Sequence, residues 1–248
     1  MKRFSSALCG ALLVFALPVS ATELHDAVKQ DYDDHLADLF DHFHRNPELS
    51  TVEFRTAERM AKELAAAGFE VTEQVGGTGV VAMLENGAGP LVMMRADMDG
   101  LPVEEKSGLP NASRAQQRDP ITGNVVHVMH ACGHDVHITS LVGTARQMVA
   151  RKDEWSGTLM LVVQPAEERV LGARSMRDDG IWDRFGTPDY ALAFHVGAGA
   201  AAGKIDAPEG PAYAGADTVD IIVHGVGAHG ASPHSGKDPV LIGSQIVV

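Results

Sequence analysis

The sequence predicts an α/β protein built around a buried sheet, and three observations predict it. Four short apolar runs, "GVVAML" (79 to 84), "LVMMRA" (91 to 96), "TLMLVVQ" (158 to 164) and "YALAFH" (190 to 195), have the length and near-continuous hydrophobicity of buried strands. Segments with helical spacing alternate with them, the pattern of strands covered by helices. At 248 residues, 45% hydrophobic and 21% charged, the chain is long and apolar enough to bury a real core.

Taken in order, "MKRFSSALCGALLVFALPVSA" has a basic start, an apolar stretch and small residues before Ala21, the layout of a cleaved secretory signal peptide at 1–21. Its apolar stretch is shorter than the roughly 20 residues that span a bilayer. Periplasmic or secreted localisation is therefore expected, with no membrane partner after cleavage. Cys9 leaves with that segment, so Cys132 is the single mature cysteine and no intrachain disulfide can form. Removing Lys2 and Arg3 from the 20 basic residues leaves 18 against 33 acidic ones, which argues against nucleic acid as a partner.

Val28, Tyr32, Leu36, Leu39, Phe40 and Phe43 recur at helical spacing; "RNPELS" breaks that helix, and "TVEFRTAERMAKELAAAGF" forms a second one ending at Gly68. Further helices are expected at about 137 to 152 and 170 to 180, with a long polar loop over 107–124. Near residue 212 the pattern changes to "GADTVDIIVHGVGAHGASPHSGKDP", read as a strand and then a Gly- and His-rich turn. The expected division is a metal-binding domain over 22–211 and the start of a second domain over 212–248.

Functional residues in such a sheet gather beyond the strand ends. "VMMRADMDG" ends a strand in Asp97 and Asp99, "LVVQPAEE" ends another in Glu167 and Glu168, and "ALAFHV" ends a third in His195. "VMHACGHDVHITS" adds Cys132 and His134, two apart, a spacing that suits a loop or helix start where both converge on one ion. Taken singly, each has a plainer role. His195 fits a hydrogen-bonded edge histidine, the glutamates a solvated pair, the aspartates turn caps, and His130, His134 and His137 one helical face. Together, Cys, His, Glu and His make the mixed sulfur, nitrogen and oxygen set that Zn, Mn, Co or Ni accept. A metal also accounts for a lone thiol in an exported chain, since a bound thiolate is deprotonated and protected.

The ordered set "HRNPELS", "MRADMDGLPVEE", "MHACGHDVH", "QPAEE" and "GAHGASPHSGKDP" resembles the M20 family of metallopeptidases, in the amidohydrolase branch of hippurate, N-acyl-amino-acid and indoleacetyl-amino-acid hydrolases. The resemblance implies a mixed-sheet, zinc-peptidase-like catalytic domain carrying an inserted α+β lid and dimerisation domain, here incomplete. It implies a two-metal site that hydrolyses the amide bond of a small N-acyl amino acid, with Cys132 bridging the metals and His134, Glu168 and His195 as further ligands. Glu167 would be the general base, and His229 would reach from the lid into a partner's site in a homodimer. Asp97 would stand behind the metals. Where other branches have a histidine ligand two residues earlier, this chain has Arg95, in keeping with a Cys-Gly-His branch.

By this resemblance the chain is expected to stop within a lid helix, without the return segment that would bring a further histidine ligand. By ligand count, the polypeptide alone is expected to be inactive or nearly so. Two other readings of the same residues are an inactive metal-binding remnant and a hydrolase using Cys132 as a nucleophile, the latter leaving Glu167 and Glu168 without a role.

Overall fold

The computed structural model describes residues 21–211, 214–215 and 219–248. The expected signal peptide, up to residue 20, and Cys9 lie outside the described residues. Two compact units are present, one ending at Ala198 and one beginning at Gly199. No helix among the described residues is long and apolar enough to cross a membrane.

The first unit opens with α1 (Ala21–Asp31), a π-helical turn (Tyr32–Leu36) and α2 (Ala37–Arg45), followed by α3 (Phe54–Ala66). Helix α3 stops where expected, because Gly68 takes φ 99° and the Phe69 N–H folds back onto the Leu64 carbonyl. The sheet contains β1 (Glu70–Val75), β2 (Gly79–Asn86), β3 (Leu91–Asp97), β6 (Gly157–Gln164) and β7 (Tyr190–Ala193), in the order β1-β2-β6-β3-β7. β1–β2 and β2–β6 are antiparallel, while β3 runs parallel to both β6 and β7, so the sheet is mixed as the resemblance implied. A separate hairpin joins β4 (Gln116–Arg118) to β5 (Val125–His127). Helix α4 (His134–Ala150) crosses between the hairpin and β6; α5 (Gly172–Asp178) and α6 (Ile181–Phe185) lie between β6 and β7.

Period-two alternation in β2 and β6 explains why both faces are apolar. Val80, Ala82, Leu84, Leu159, Leu161 and Val163 join Leu39, Phe43, Met60, Leu64, Ile138 and Leu141 in the larger core. Val81, Met160 and Val162 face the other way and pack with Met176 and Ile181. At roughly 1.5–3 kcal/mol per fully buried large apolar side chain, these two layers fix the positions of the strand ends.

Three expectations need correction. The polar stretch 107–124 is not all loop, since Gln116–Arg118 pairs with Val125–His127 across a tight turn that the polar composition concealed. β1 was not anticipated, because "EVTEQV" carries too little hydrophobicity and only Val75 is fully buried. The strand expected near "TVDIIVHG" is not seen at residues 219–225, where Val219, Ile221 and Ile222 are exposed and the described part lacks a pairing neighbour; residues 216–218 lie outside the described set. The second unit shows one bridge, Val226 to Lys237, a 3-10 turn and α7 (Pro239–Val247), whose start is capped by Asp238.

Candidate metal centre

The parallel register brings the candidate residues to one edge of the sheet. Asp97 lies level with Gln164, and Arg95 with Ala193, so "QPAEE" and His195 leave the sheet beside the end of β3. The fourth contribution comes from the start of α4. Gly133 precedes that helix with φ 80°, and a Cβ there would come within 2.3 Å of Val196, so only glycine fits between Cys132 and His134. The two-residue spacing thus straddles a helix start, as the sequence suggested.

The side chains converge closely. Cys132 Sγ lies 3.5 Å from His195 Nε2. The buried His134 Nε2 lies 3.6 Å from Asp97 Oδ2, 3.7 Å from Glu168 Oε1 and 3.8 Å from Glu167 Oε2. These separations are too long for good hydrogen bonds. They match the roughly 3.4–3.7 Å expected between two donors of one tetrahedral ion bound at about 2.0–2.3 Å. His134 Nε2 and Glu168 Oε1 are buried without a hydrogen-bond partner, a costly arrangement that coordination would relieve. The donor set therefore fits a divalent ion. Cys132, His134 and His195, and likewise His134, Glu167 and Glu168, each bring one donor atom apiece to within 4.8 Å of one another.

Asp97 and His137 are also close to His134; both His137 nitrogens and Asp97 Oδ1 are engaged in hydrogen bonds, whereas Asp97 Oδ2, like His134 Nε2 and Glu168 Oε1, is buried without one. The Val196 N–H donates to His137 Nε2 at 3.0 Å, so the proton is on Nδ1, which donates to Asp97 Oδ1 at 2.6 Å. Asp97 Oδ2 pairs with Arg95 at 2.8 Å. These residues buttress the site from behind, His137 fixing the segment that carries His195. Asp99 does the same for the glutamates. It accepts the N–H groups of Glu167 (3.0 Å) and Glu168 (3.1 Å) and the Ser50 hydroxyl (2.5 Å), while its Oδ1 lies 3.4 Å from His134 Nδ1. His130 is buried just ahead of the helix rather than on its face.

The local field is strongly anionic. Burial opposes charge on Asp97, yet the His137 hydrogen bond and the charges of Arg95 and His134 hold its pKa down to about 2. Burial lowers His134, but Asp99, Asp97 and Glu168 outweigh it and raise its pKa. Burial, then Glu168 and Glu167, push the Cys132 thiol up to about 11. In this field a free thiol stays protonated at neutral pH. The same field favours a cation, whose charge reverses that preference. The thiol–imidazole contact is thus poorly suited to a cysteine nucleophile. Burial also raises Glu168.

His229 belongs to the second unit. Its Nδ1 accepts the Ala231 N–H at 3.1 Å, leaving the proton on Nε2 as a donor. Sequence reasoning placed Asp99 among the strand-end candidates without its supporting role, gave His137 only a helical-face role, and missed Glu53, which bonds Ala166 113 residues away in the chain.

A mixed α/β sheet with sulfur, nitrogen and carboxylate donors gathered at its parallel strand ends defines a candidate metal-binding class of site. The model of peptidase family M20/M25/M40 matches residues 93–242, and the chain belongs to this family. It is 41% identical to thermostable carboxypeptidase 2 of Saccharolobus solfataricus over 207 residues, 82% of this chain and 49% of that one. It is 38% identical to hippurate hydrolase of Campylobacter jejuni, with 83% and 50% covered. Among solved structures it resembles Bacillus subtilis YXEP, a dinuclear metal-binding peptidase of the M20 family, with TM-score 0.58, 32% identity, and 67% of this chain and 43% of that one covered. The chain spans about half the length of the curated relatives it matches.

Proposed function

We propose that the protein is a metal-dependent amidohydrolase that cleaves the amide bond of small N-acylated amino acids, using two divalent ions held by Cys132, His134, Glu168 and His195. The observation that carries this reading is the cluster of donor atoms around the buried, unpaired His134 Nε2, at separations suited to shared coordination. The names of the relatives, hippurate hydrolase among them, point to acylated amino acids as the substrate class. Bound divalent ions supply Lewis-acid polarisation and a more acidic water.

Glu167 is the general base. Its side chain is 39% exposed against 17% for Glu168, so it remains open to water and substrate while Glu168 points inward. It takes a proton from water and returns it to the leaving amine, a shuttle that contributes about 10² to 10⁴ in rate. His229, protonated on Nε2, donates to the developing oxyanion from the partner subunit of a homodimer. Asp99 and His137 hold the glutamates and the His195 segment in place.

On this reading the mature protein works in the periplasm or outside the cell, a localisation supported by the signal-peptide layout of residues 1–21. Isolated from its source, it should contain Zn, Mn, Co or Ni and release amino acids from N-acetyl or N-benzoyl conjugates. Chelation should abolish that activity and added metal restore it. Turnover indifferent to chelators would sink the proposal, and metal held without turnover would favour a binding-only role for the same ligands.

A further inference from the structure

The glutamates are presented by an unusual piece of backbone. Ala166 (φ 46°) and Val170 (φ 53°) flank Glu167, Glu168 and Arg169, and both are non-glycine residues in the left-handed region. That region is costly for alanine and more so for β-branched valine. Such a turn persists only when its surroundings over-determine it. Asp99 holds two of its N–H groups. Gly172 closes it, because a Cβ there would fall 1.6 Å from the Pro165 carbonyl oxygen. A third restraint comes from outside the donor cluster.

Glu53 precedes the first residue of α3, where a side chain ordinarily caps its own helix. It makes no such cap. Glu48 takes that task, accepting the Thr56 N–H at 2.7 Å and the Thr56 hydroxyl at 2.9 Å. The Glu53 carboxylate is thereby released and, fully buried, reaches across to accept the Ala166 N–H at 2.8 Å, 113 residues away in the chain. Its remaining bonds lock it in place: Oε1 also accepts the Thr51 N–H at 2.9 Å, and Oε2 accepts the Thr78 hydroxyl at 2.5 Å. A buried carboxylate is expensive unless its oxygens are satisfied, and here one of those bonds fixes the strained residue immediately before Glu167.

We propose that Glu53 is a positioning residue that holds Ala166 in its left-handed conformation and so aims Glu167 and Glu168 at the metal site. Its role as an aiming device rests on the metal-hydrolase reading above, whereas its hold on the turn does not. The role is geometric. In Glu53→Gln the amide oxygen keeps both N–H bonds, and the amide nitrogen can donate to a reoriented Thr78 hydroxyl. In Glu53→Ala the Ala166 N–H is left buried and unpaired.

The test compares the full polypeptide with Glu53→Ala and Glu53→Gln by amide exchange of residues 166–168 without metal, and by Zn affinity from competition with a chromophoric chelator. Glu53→Ala should accelerate exchange at these amides by at least about tenfold while β6 and α4 stay protected, and should weaken Zn binding by about 10- to 100-fold, the range for lost outer supports. Glu53→Gln should restore both to within about threefold. Unchanged exchange in Glu53→Ala would overturn the proposal, as would faster exchange with undiminished Zn affinity. Global loss of protection in Glu53→Ala shifts the decision to Thr78→Val, which spares the Ala166 bond. Normal affinity there supports the proposal, and a loss equal to that of a ligand mutant overturns it. If the unmutated chain binds no Zn, Mn, Co or Ni, the metal-hydrolase reading fails and takes the aiming role with it, a result separable from any mutant effect.

Discussion

At the residue scale, the two adjacent glutamates differ in depth rather than in chemistry. Glu168 has its pKa raised by burial and an oxygen without a hydrogen-bond partner, the attributes of a ligand. Glu167 is the more exposed of the two, as a base that meets water must be. Glu167→Gln should therefore keep its metal and lose about 10² to 10⁴ in kcat, while Glu168→Gln should weaken metal binding by at least about tenfold. Metal analysis after dialysis, alongside steady-state kinetics of the source protein, separates the two; matching behaviour would show that the roles are not divided. The gathering of these candidates was legible in the sequence, because Glu167, Glu168 and His195 follow apolar runs that form strands parallel to β3. Glu53 was not legible, since a glutamate at the start of a helix signals capping and its partner is 113 residues away.

At the element scale, the first helical segment shows how far periodicity reaches. The spacing from Val28 to Phe43 suggests one continuous face, and Leu36, Leu39 and Phe43 are indeed buried, but Val28 and Tyr32 remain exposed. Val28, Tyr32, Leu36 and Phe40 nevertheless line one apolar groove, so the π-helical turn at Tyr32–Leu36, which a 3.6-residue template cannot anticipate, leaves the face continuous. That turn is pinned to α3 by His35 Nε2 and Glu63 Oε2 at 2.7 Å, with Arg59 on the other oxygen at 2.7 Å. Burial opposes ionisation of Glu63, but the His35 and Arg59 hydrogen bonds outweigh it and lower its pKa below 4.5. A carboxylate with a depressed folded pKa contributes stability above its unfolded value that is lost as pH falls through the folded one. Glu63→Gln should thus cost about 1–2 kcal/mol at pH 7, a penalty that shrinks as pH falls through the lowered folded pKa. Thermal unfolding of the two proteins across an acid pH series is the check, and a penalty that does not fall with pH would show that the contact is not ionic.

At the scale of the whole molecule, the ligands do not share one level of support. His134 sits at the start of α4, which is locked into the larger core, whereas His195 follows β7, which among the described residues pairs only with β3 and has all four residues exposed. Tyr190, Leu192 and Phe194 expose apolar surface along this edge, which invites self-association. His195 itself is exposed, anchored by its Nδ1 bond to the Val196 carbonyl at 2.7 Å and by the contact of Val196 with His137. Local stability follows such differences in burial and pairing. Without metal, the β7 amides that face β3 should exchange at least about a hundredfold faster than those of β6, which is paired on both sides and buried along nearly its whole length. Bound metal should slow β7 far more than β6, because coordination of His195 closes the loop that follows the strand and stabilises only states in which that strand is docked. The comparison requires exchange of the same polypeptide with and without added Zn, at a concentration low enough to keep it monomeric by light scattering. Equal protection of β7 and β6 without metal, or a Zn effect spread evenly over the sheet, would show that His195 is held as firmly as the other ligands.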